Sequence, residues 1–248
     1  MIKFFRKIRQ NLLSEGKTGK YLKYAIGEIV LVVIGILIAL SINNWNENKK
    51  ASLKEATNLK SIKSELESSL QEIRTDYIRI LKYKQSTLNI YKYIQEKPAL
   101  VDSMFVDFYN SIQFSMFFPK TSTYETFKSG NLDLIKSDSL RVLIIDIYEA
   151  GFVRIKTKVG SRRNAANLLF PYYKEHFTTK LIPNSDENHG YTRVGIPNDY
   201  EHLLYDSEFE TLIAEAMLGR SMEVSDFERT IEWIEKGIEE INRYLKNY

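Results

Sequence analysis

From Ile29 to Leu40 every residue is apolar, and the surrounding run from Tyr24 to Trp45 holds a single charged group, Glu28. At the helical rise those residues extend about 33 Å, close to the thickness of a hydrocarbon core. An aromatic residue stands at each end, as at membrane interfaces. The pattern predicts a transmembrane helix over residues 24–45, because a buried helix of a soluble protein seldom carries so long an unbroken apolar run. A cleaved signal peptide fits less well. Its basic leader would be too long, and Asn43-Asn44-Trp45 is poor cleavage-site chemistry. An uncleaved signal-anchor is the expectation.

No second run long enough to span follows, so the chain is read as single-pass. From Asn46 to Glu96 there is neither Gly nor Pro. Leu59, Ile62, Leu66, Leu70, Ile73, Tyr77 and Ile80 recur at threes and fours, which predicts one long amphipathic helix over 46–96 ended by Pro98. Capping-box patterns mark later helix starts at Ser122-x-x-Glu125, Ser207-x-x-Glu210 and Ser225-x-x-Glu228, with Ser137 a further N-cap and Gly130 a C-cap. The helix after Ser137 is expected to reach Gly160 or beyond, with Pro171 as its limit. Thr178 to Asp206 reads as an irregular region that includes a short hairpin. Phe227, Ile231, Ile234, Ile238, Ile241 and Leu245 form a narrow seam over 225–246. That last helix is expected to lie antiparallel on the long one, its acids flanking Lys60 and Lys63. The expected fold is all-α: a transmembrane helix, a long stalk helix and a helical bundle over 46–248.

Charge divides the chain further. The overall balance is only +3, from 35 bases and 32 acids. Residues 1–23 carry seven bases and one acid, net +6, and the remainder carries 28 bases and 31 acids, net −3. A basic head predicts a cytoplasmic N-terminus with the long domain outside. Within it Ile2, Phe5, Ile8 and Leu12 recur at helical spacing opposite Arg and Lys, suited to an amphipathic helix on an anionic leaflet. The chain has no cysteine, which excludes disulfides, thiol catalysis and Cys-ligated metals.

The segment IKFFRKIRQNLL, followed by YAIGEIVLVVIGILIAL and INNWNE, resembles the opening of an uncharacterised family of single-pass membrane proteins of Bacteroidota. TYETFKSGNLDLIKSDSLRVLIIDIYE resembles the same family. The resemblance implies a Gram-negative inner membrane with the domain in the periplasm. It implies no activity.

Catalytic signatures are missing: no phosphate-binding loop, no dinucleotide fingerprint, no nucleophile elbow and no H-E-x-x-H. His176, His189 and His202 are evenly spaced without metal meaning, although His189 lies near Asp186 and Glu187. No cofactor and no nucleic-acid partner are expected. Three groups of residues remain as candidate contacts. Gly27, Gly35 and Ala39 form a small-residue face, with Glu28 beside it, for packing on another membrane helix. Phe114, Met116, Phe117 and Phe118 have no helical spacing to explain them and suit a partner surface. Arg154, Lys156, Lys158, Arg162 and Arg163 form a basic run suited to an anionic surface, or neutralised by the acids of the last helix. The expected function is a membrane-anchored scaffold or adaptor that contacts the bilayer and a protein partner or a second copy, without catalysis. The alternative is a single-pass sensor acting through a separate cytoplasmic protein, and a cell-envelope enzyme comes third.

Overall fold

The computed structural model describes residues 18–130, 132–159, 164–185 and 190–246, with the side chains of 18, 20, 21, 158 and 159 left aside. Of the basic head expected over residues 1–23, residues 1–17, with the amphipathic stretch from Ile2 to Leu12, lie outside them. The contacts divide the chain into two units, residues 1–55 and 56–248.

Helix α1 (Thr18–Glu96) supplies the described part of the first unit and opens the second. It joins the expected span over 24–45 and the expected long helix over 46–96 without a break, because no proline interrupts this stretch and its only glycines are Gly19, Gly27 and Gly35. Among the described residues it is the one helix long and apolar enough to cross a membrane. Its most apolar window has a mean hydropathy of 2.8, with none of that window buried. Leu31, Leu37 and Ile42 all stand bare. At its other end Pro98 disfavours a helical Lys97, which turns left-handed at φ 51° and donates its N–H to the Tyr93 carbonyl at 2.9 Å. The Lys97 ammonium then sits 3.5 Å from the centre of the Tyr205 ring.

The second unit is all-α apart from one hairpin. After α1 come α2 (Met104–Ser111), α3 (Ser122–Lys128), a short 3-10 turn (Leu132–Leu134) and α4 (Asp138–Ile145). A wider π-helical stretch, Asp146–Phe152, leads into α5 (Val153–Val159). Then follow α6 (Ala165–His176), β1 (Phe177–Pro183), β2 (Tyr191–Pro197), α7 (Tyr200–Tyr205) and α8 (Ser207–Lys246). The strands pair antiparallel, from Phe177 opposite Pro197 to Pro183 opposite Tyr191.

One core cluster joins Leu59, Ile62, Leu66, Ile73 and Ile80 of α1 to Phe227, Ile234 and Ile241 of α8, with Tyr148 and Phe152 closing it. A second joins Ile90 and Ile94 to Phe108, Leu169, Phe177 and Ile213. Helices α1 and α8 run antiparallel: Arg74 meets Glu235 at 2.5 Å and the Tyr77 hydroxyl donates to Glu228 at 2.6 Å. The acids of α8 therefore meet Arg74 and Tyr77, not Lys60 and Lys63; Lys63 pairs with Glu67 of its own helix at 3.5 Å. Gly237 lets α8 close on the π-helical stretch, since a Cβ there would lie 2.7 Å from Ile147 Cδ1.

Several expected boundaries move. Helix α8 begins at Ser207 rather than at Ser225, so Ser225-x-x-Glu228 is helix interior. Val224 and Phe227 are buried beside that false start, and their packing carries the helix through it. Ser207 itself is not the cap: Asp206 Oδ1 accepts from Glu208 N at 2.8 Å and from Phe209 N at 3.4 Å. Ser122 does not cap α3 either, whereas Ser137 does cap α4 through Leu140 N at 3.3 Å. Pro171, expected to end a helix, lies inside α6. Buried Leu169, Tyr172 and Tyr173 on either side offset the hydrogen bond it removes.

Candidate functional site

Between α2 and α3 the chain runs extended along one stripe of α1 and pairs with no strand. Ser115 Oγ donates to Asp76 Oδ1 at 2.6 Å, Phe118 N to Glu72 Oε1 at 3.2 Å and Lys120 N to Ser69 Oγ at 3.2 Å. The contacts continue through Lys120 Nζ to Ser68 at 2.6 Å and Thr123 N to Glu65 Oε2 at 2.7 Å. Residues 65, 69, 72 and 76 are spaced four, three and four apart, so they form one polar stripe along the amphipathic α1. An extended chain lays alternate side chains on opposite sides. Held on that stripe, this strap buries Ser115 and Phe117 and leaves Phe114, Met116 and Phe118 at 46%, 51% and 63% exposure.

The strap corrects one member of the expected partner surface. Phe117 is buried, its ring 5.4 Å from that of Phe152, and belongs to the core. The other three point outward. Ser68, Gln71, Glu72, Thr75 and Arg79 ring a hollow of about 510 Å³ beside Met116 and Phe118, giving the apolar side chains a polar rim.

Both ends of the strap are anchored by buried charge. At one end Glu65 accepts from Thr123 N, from Tyr124 N at 3.3 Å, from Ser122 Oγ at 3.4 Å and from Tyr148 OH at 2.8 Å. Its carboxylate thus does for α3 what Ser122 was expected to do. Burial, followed by the bond to Glu65, holds the Tyr148 hydroxyl well above the ordinary tyrosine pKa. At the other end the guanidinium of Arg220 is fully buried. It donates to Glu223 Oε2 at 3.0 Å, to the Ser111 carbonyl at 3.1 Å and to the Gln113 carbonyl, and it lies 5.5 Å from the Tyr83 ring centre. The Ser111 carbonyl ends α2, where the helix dipole favours a cation, and Gln113 follows just beyond. Burial pulls the Arg220 pKa down, opposed by Glu223.

Beyond Phe114 a groove of about 600 Å³ opens between α2, α6 and the hairpin. Its walls are the rings of Tyr109, Phe114, Phe170, Tyr173 and Phe177, with Lys174 and Arg193 beside them. Tyr173 stacks on Phe177 at 4.7 Å, and its hydroxyl lies 3.1 Å from Thr179 Oγ1. Gly195 permits this packing: a Cβ there would stand 2.9 Å from the Tyr173 ring carbon Cε2. A second hollow, about 340 Å³, shares Tyr109, Gln113 and Arg193 with the groove and adds Arg79 and Lys82. Among the described residues no Asp or Glu lines either hollow.

The remaining candidates are dispersed. A Cβ built on Gly27 or Gly35 meets nothing within 4 Å, and Ala39 is exposed, so among the described residues nothing packs on this face. Glu28 is half-buried. Arg154 is half-buried with a guanidinium nitrogen 4.0 Å from Asp226, and Lys156 is exposed. The side chain of Lys158, together with Arg162, Arg163, Asp186, Glu187 and His189, lies outside the described residues. Among the described residues no cluster of three His, Asp or Glu side chains suits a metal ion.

Sequence spacing also concealed a small cluster at the start of α8. The rings of His176 and His202 come within 6.2 Å, and Tyr172 stacks on His176 at 4.0 Å. Asp206 accepts from Tyr172 OH at 2.6 Å and lies 3.6 Å from His202 Nε2. The Tyr172 bond above all, then the two capping amides and His202, hold the Asp206 carboxyl below the ordinary aspartate value. A depressed folded pKa contributes stability above the unfolded value near 4, lost as pH falls through the folded one. We expect Asp206→Ala to cost about 1 kcal/mol at pH 7. It should also flatten the acid limb of the stability curve below pH 4. Urea unfolding at pH 7, 4 and 3 measures both, and an unchanged acid limb would assign that limb to other carboxylates.

Fold and site define an all-α protein with one helix suited to crossing a membrane and a helical unit that carries a pinned apolar strap. The chain belongs to a family of unknown function, DUF6090, whose model matches residues 28–164. The matched stretch contains the strap and Glu65, and stops before α6, the hairpin and α8. No curated protein and no solved structure matches the chain.

Proposed function

We propose that this protein is a single-pass membrane adaptor whose second unit binds another protein through Phe114, Met116 and Phe118. One observation carries the reading. Three large apolar side chains face outward from a segment that buried and polar contacts keep from turning inward. An apolar centre with a polar rim is the composition of a protein interface, and a preordered strap loses little entropy on binding. The bare apolar stretch of α1 supports an anchor in the bilayer. The net +6 of residues 1–23 supports a cytoplasmic head, with the second unit on the other, periplasmic side of an inner membrane. No catalytic role is proposed.

A photo-crosslinking residue at Met116 tests the reading in cells. The expected result is a discrete protein adduct that disappears when Phe114 and Phe118 are both serine. Truncating such anchors costs about 2 kcal/mol, or roughly 30-fold in affinity. The same adducts from a probe at exposed Leu218, or none at Met116, would overturn it.

The aromatic groove favours a second reading, a ligand sensor that signals through the span to a cytoplasmic partner. Deleting residues 1–20 while keeping insertion separates the two: an adaptor keeps working and a transmitter fails.

A further inference from the structure

We infer that the groove between α2, α6 and the hairpin is a binding site for a small amphiphilic carboxylate, a hydrocarbon or aromatic body ending in one anionic head. The groove shares Phe114 with the proposed partner surface but does not depend on a protein partner.

Three features of the groove select that chemistry. Its volume of about 600 Å³ falls within the range of small-molecule sites. At about 30 Å³ per atom it holds on the order of twenty non-hydrogen atoms, a small molecule rather than a helix of a partner. Five aromatic rings, of which Phe114 and Phe170 are each 46% exposed, offer faces and edges to an apolar body. The third feature is charge. Lys174 and Arg193 line the groove, Lys82 and Arg79 (the latter paired with Asp76) line the adjoining hollow, and no acid among the described residues lines either.

The two groove cations are also unspent. Lys174 lies 5.0 Å from the Phe170 ring centre, a contact that leaves its charge available. Arg193 has no ion-pair partner among the described residues. Its flat guanidinium presents a fork matched to the two oxygens of a carboxylate. A neutral apolar ligand would leave both cations uncompensated, and a cationic one would be repelled by them.

The walls are held firmly enough to select. Tyr173 is fixed by its stack on Phe177, its contact with Thr179 and the absence of a side chain at Gly195. Beneath the groove Phe177 packs on Phe108 at 5.2 Å in the core. A preformed apolar wall with charge at the rim binds without the cost of ordering itself.

The test uses the full chain in lipid nanodiscs, with empty nanodiscs subtracted, and calorimetric titration with 3-phenylpropanoate and octanoate. Their neutral amides and 3-phenylpropylamine are the comparisons. We expect one saturable site for at least one carboxylate, binding about tenfold or more tighter than its amide, and no site for the amine. Lys174→Gln with Arg193→Gln should abolish the preference for carboxylate over amide, whereas Lys84→Gln should leave it intact. Phe170→Ala, at an exposed wall position, should weaken the carboxylate and its amide alike. The inference fails if no carboxylate binds at about 5 mM, if acid and amide bind equally to the parent chain, or if the double variant keeps the preference. None of these results bears on crosslinking from Met116, so this site and the partner surface stand or fall separately.

Discussion

Replacing Glu65 by alanine should lower the thermal midpoint of the second unit by about 10 °C, one of the two largest effects expected from a single substitution. The carboxylate receives two backbone N–H groups, the Ser122 hydroxyl and the Tyr148 hydroxyl, and is only 6% exposed. Alanine removes the acceptor for all of them. Each buried donor left without a partner costs about 1–3 kcal/mol, and partial access of water brings the sum to roughly 3–5 kcal/mol. For a unit of this size each kcal/mol shifts the midpoint by about 2–4 °C. Glu65→Gln keeps one carbonyl acceptor and should fall about halfway. Circular dichroism melting measures the stability. Amide exchange at Thr123 and Tyr124 gives the local readout, since both amides should lose protection in Glu65→Ala. A midpoint shift below about 2 °C would mean that α3 is capped by something else.

Arg220→Met should be comparably damaging, by about 3–5 kcal/mol, for a different reason. The guanidinium is desolvated, and what it compensates is desolvated too: the Glu223 carboxylate and the carbonyls of Ser111 and Gln113. Removing the cation strands a buried negative charge. The Arg220→Met, Glu223→Met double variant should therefore be more stable than Arg220→Met alone, although it still lacks donors for the carbonyls. Arg220→Lys keeps the charge but cannot reach three acceptors with one fork. A double-mutant cycle in urea measures the coupling. If the two losses simply add, the pair is not the reason for the cost.

The adaptor reading depends on these two anchors, since they fix the ends of the strap that displays Phe114, Met116 and Phe118. A variant at either anchor should weaken the Met116 crosslink before the unit unfolds.

Much of the helical framework is written in local periodicity. The apolar run at 29–40, the stripe from Leu59 to Ile80 and the seam from Phe227 to Leu245 each name a helix and its buried face, because a helix repeats its environment every three or four residues. Capping patterns were less dependable. Ser137 caps α4, but Ser225 caps nothing, since a two-residue signature cannot outweigh the packing of Val224 and Phe227. Pro171 misled for the same reason. The strap was half legible: its residues lacked helical spacing, yet nothing local assigned Phe117 to the core and Phe118 to the surface. The polar stripe Glu65, Ser69, Glu72 and Asp76 was also there to be read, at the same helical spacing as the apolar one.

The single apolar span, the helical class and the charge asymmetry about that span follow from residue order alone, because each depends on interactions within a few turns of one helix. The groove, the antiparallel partnership of Arg74 with Glu235 and the burial of Arg220 do not. They unite residues about 50 to 160 positions apart, and a contact at that separation leaves no period in the chain. Packing decided them: the strap lies where α1 offers acceptors, and the hairpin lies where Gly195 lets Tyr173 approach.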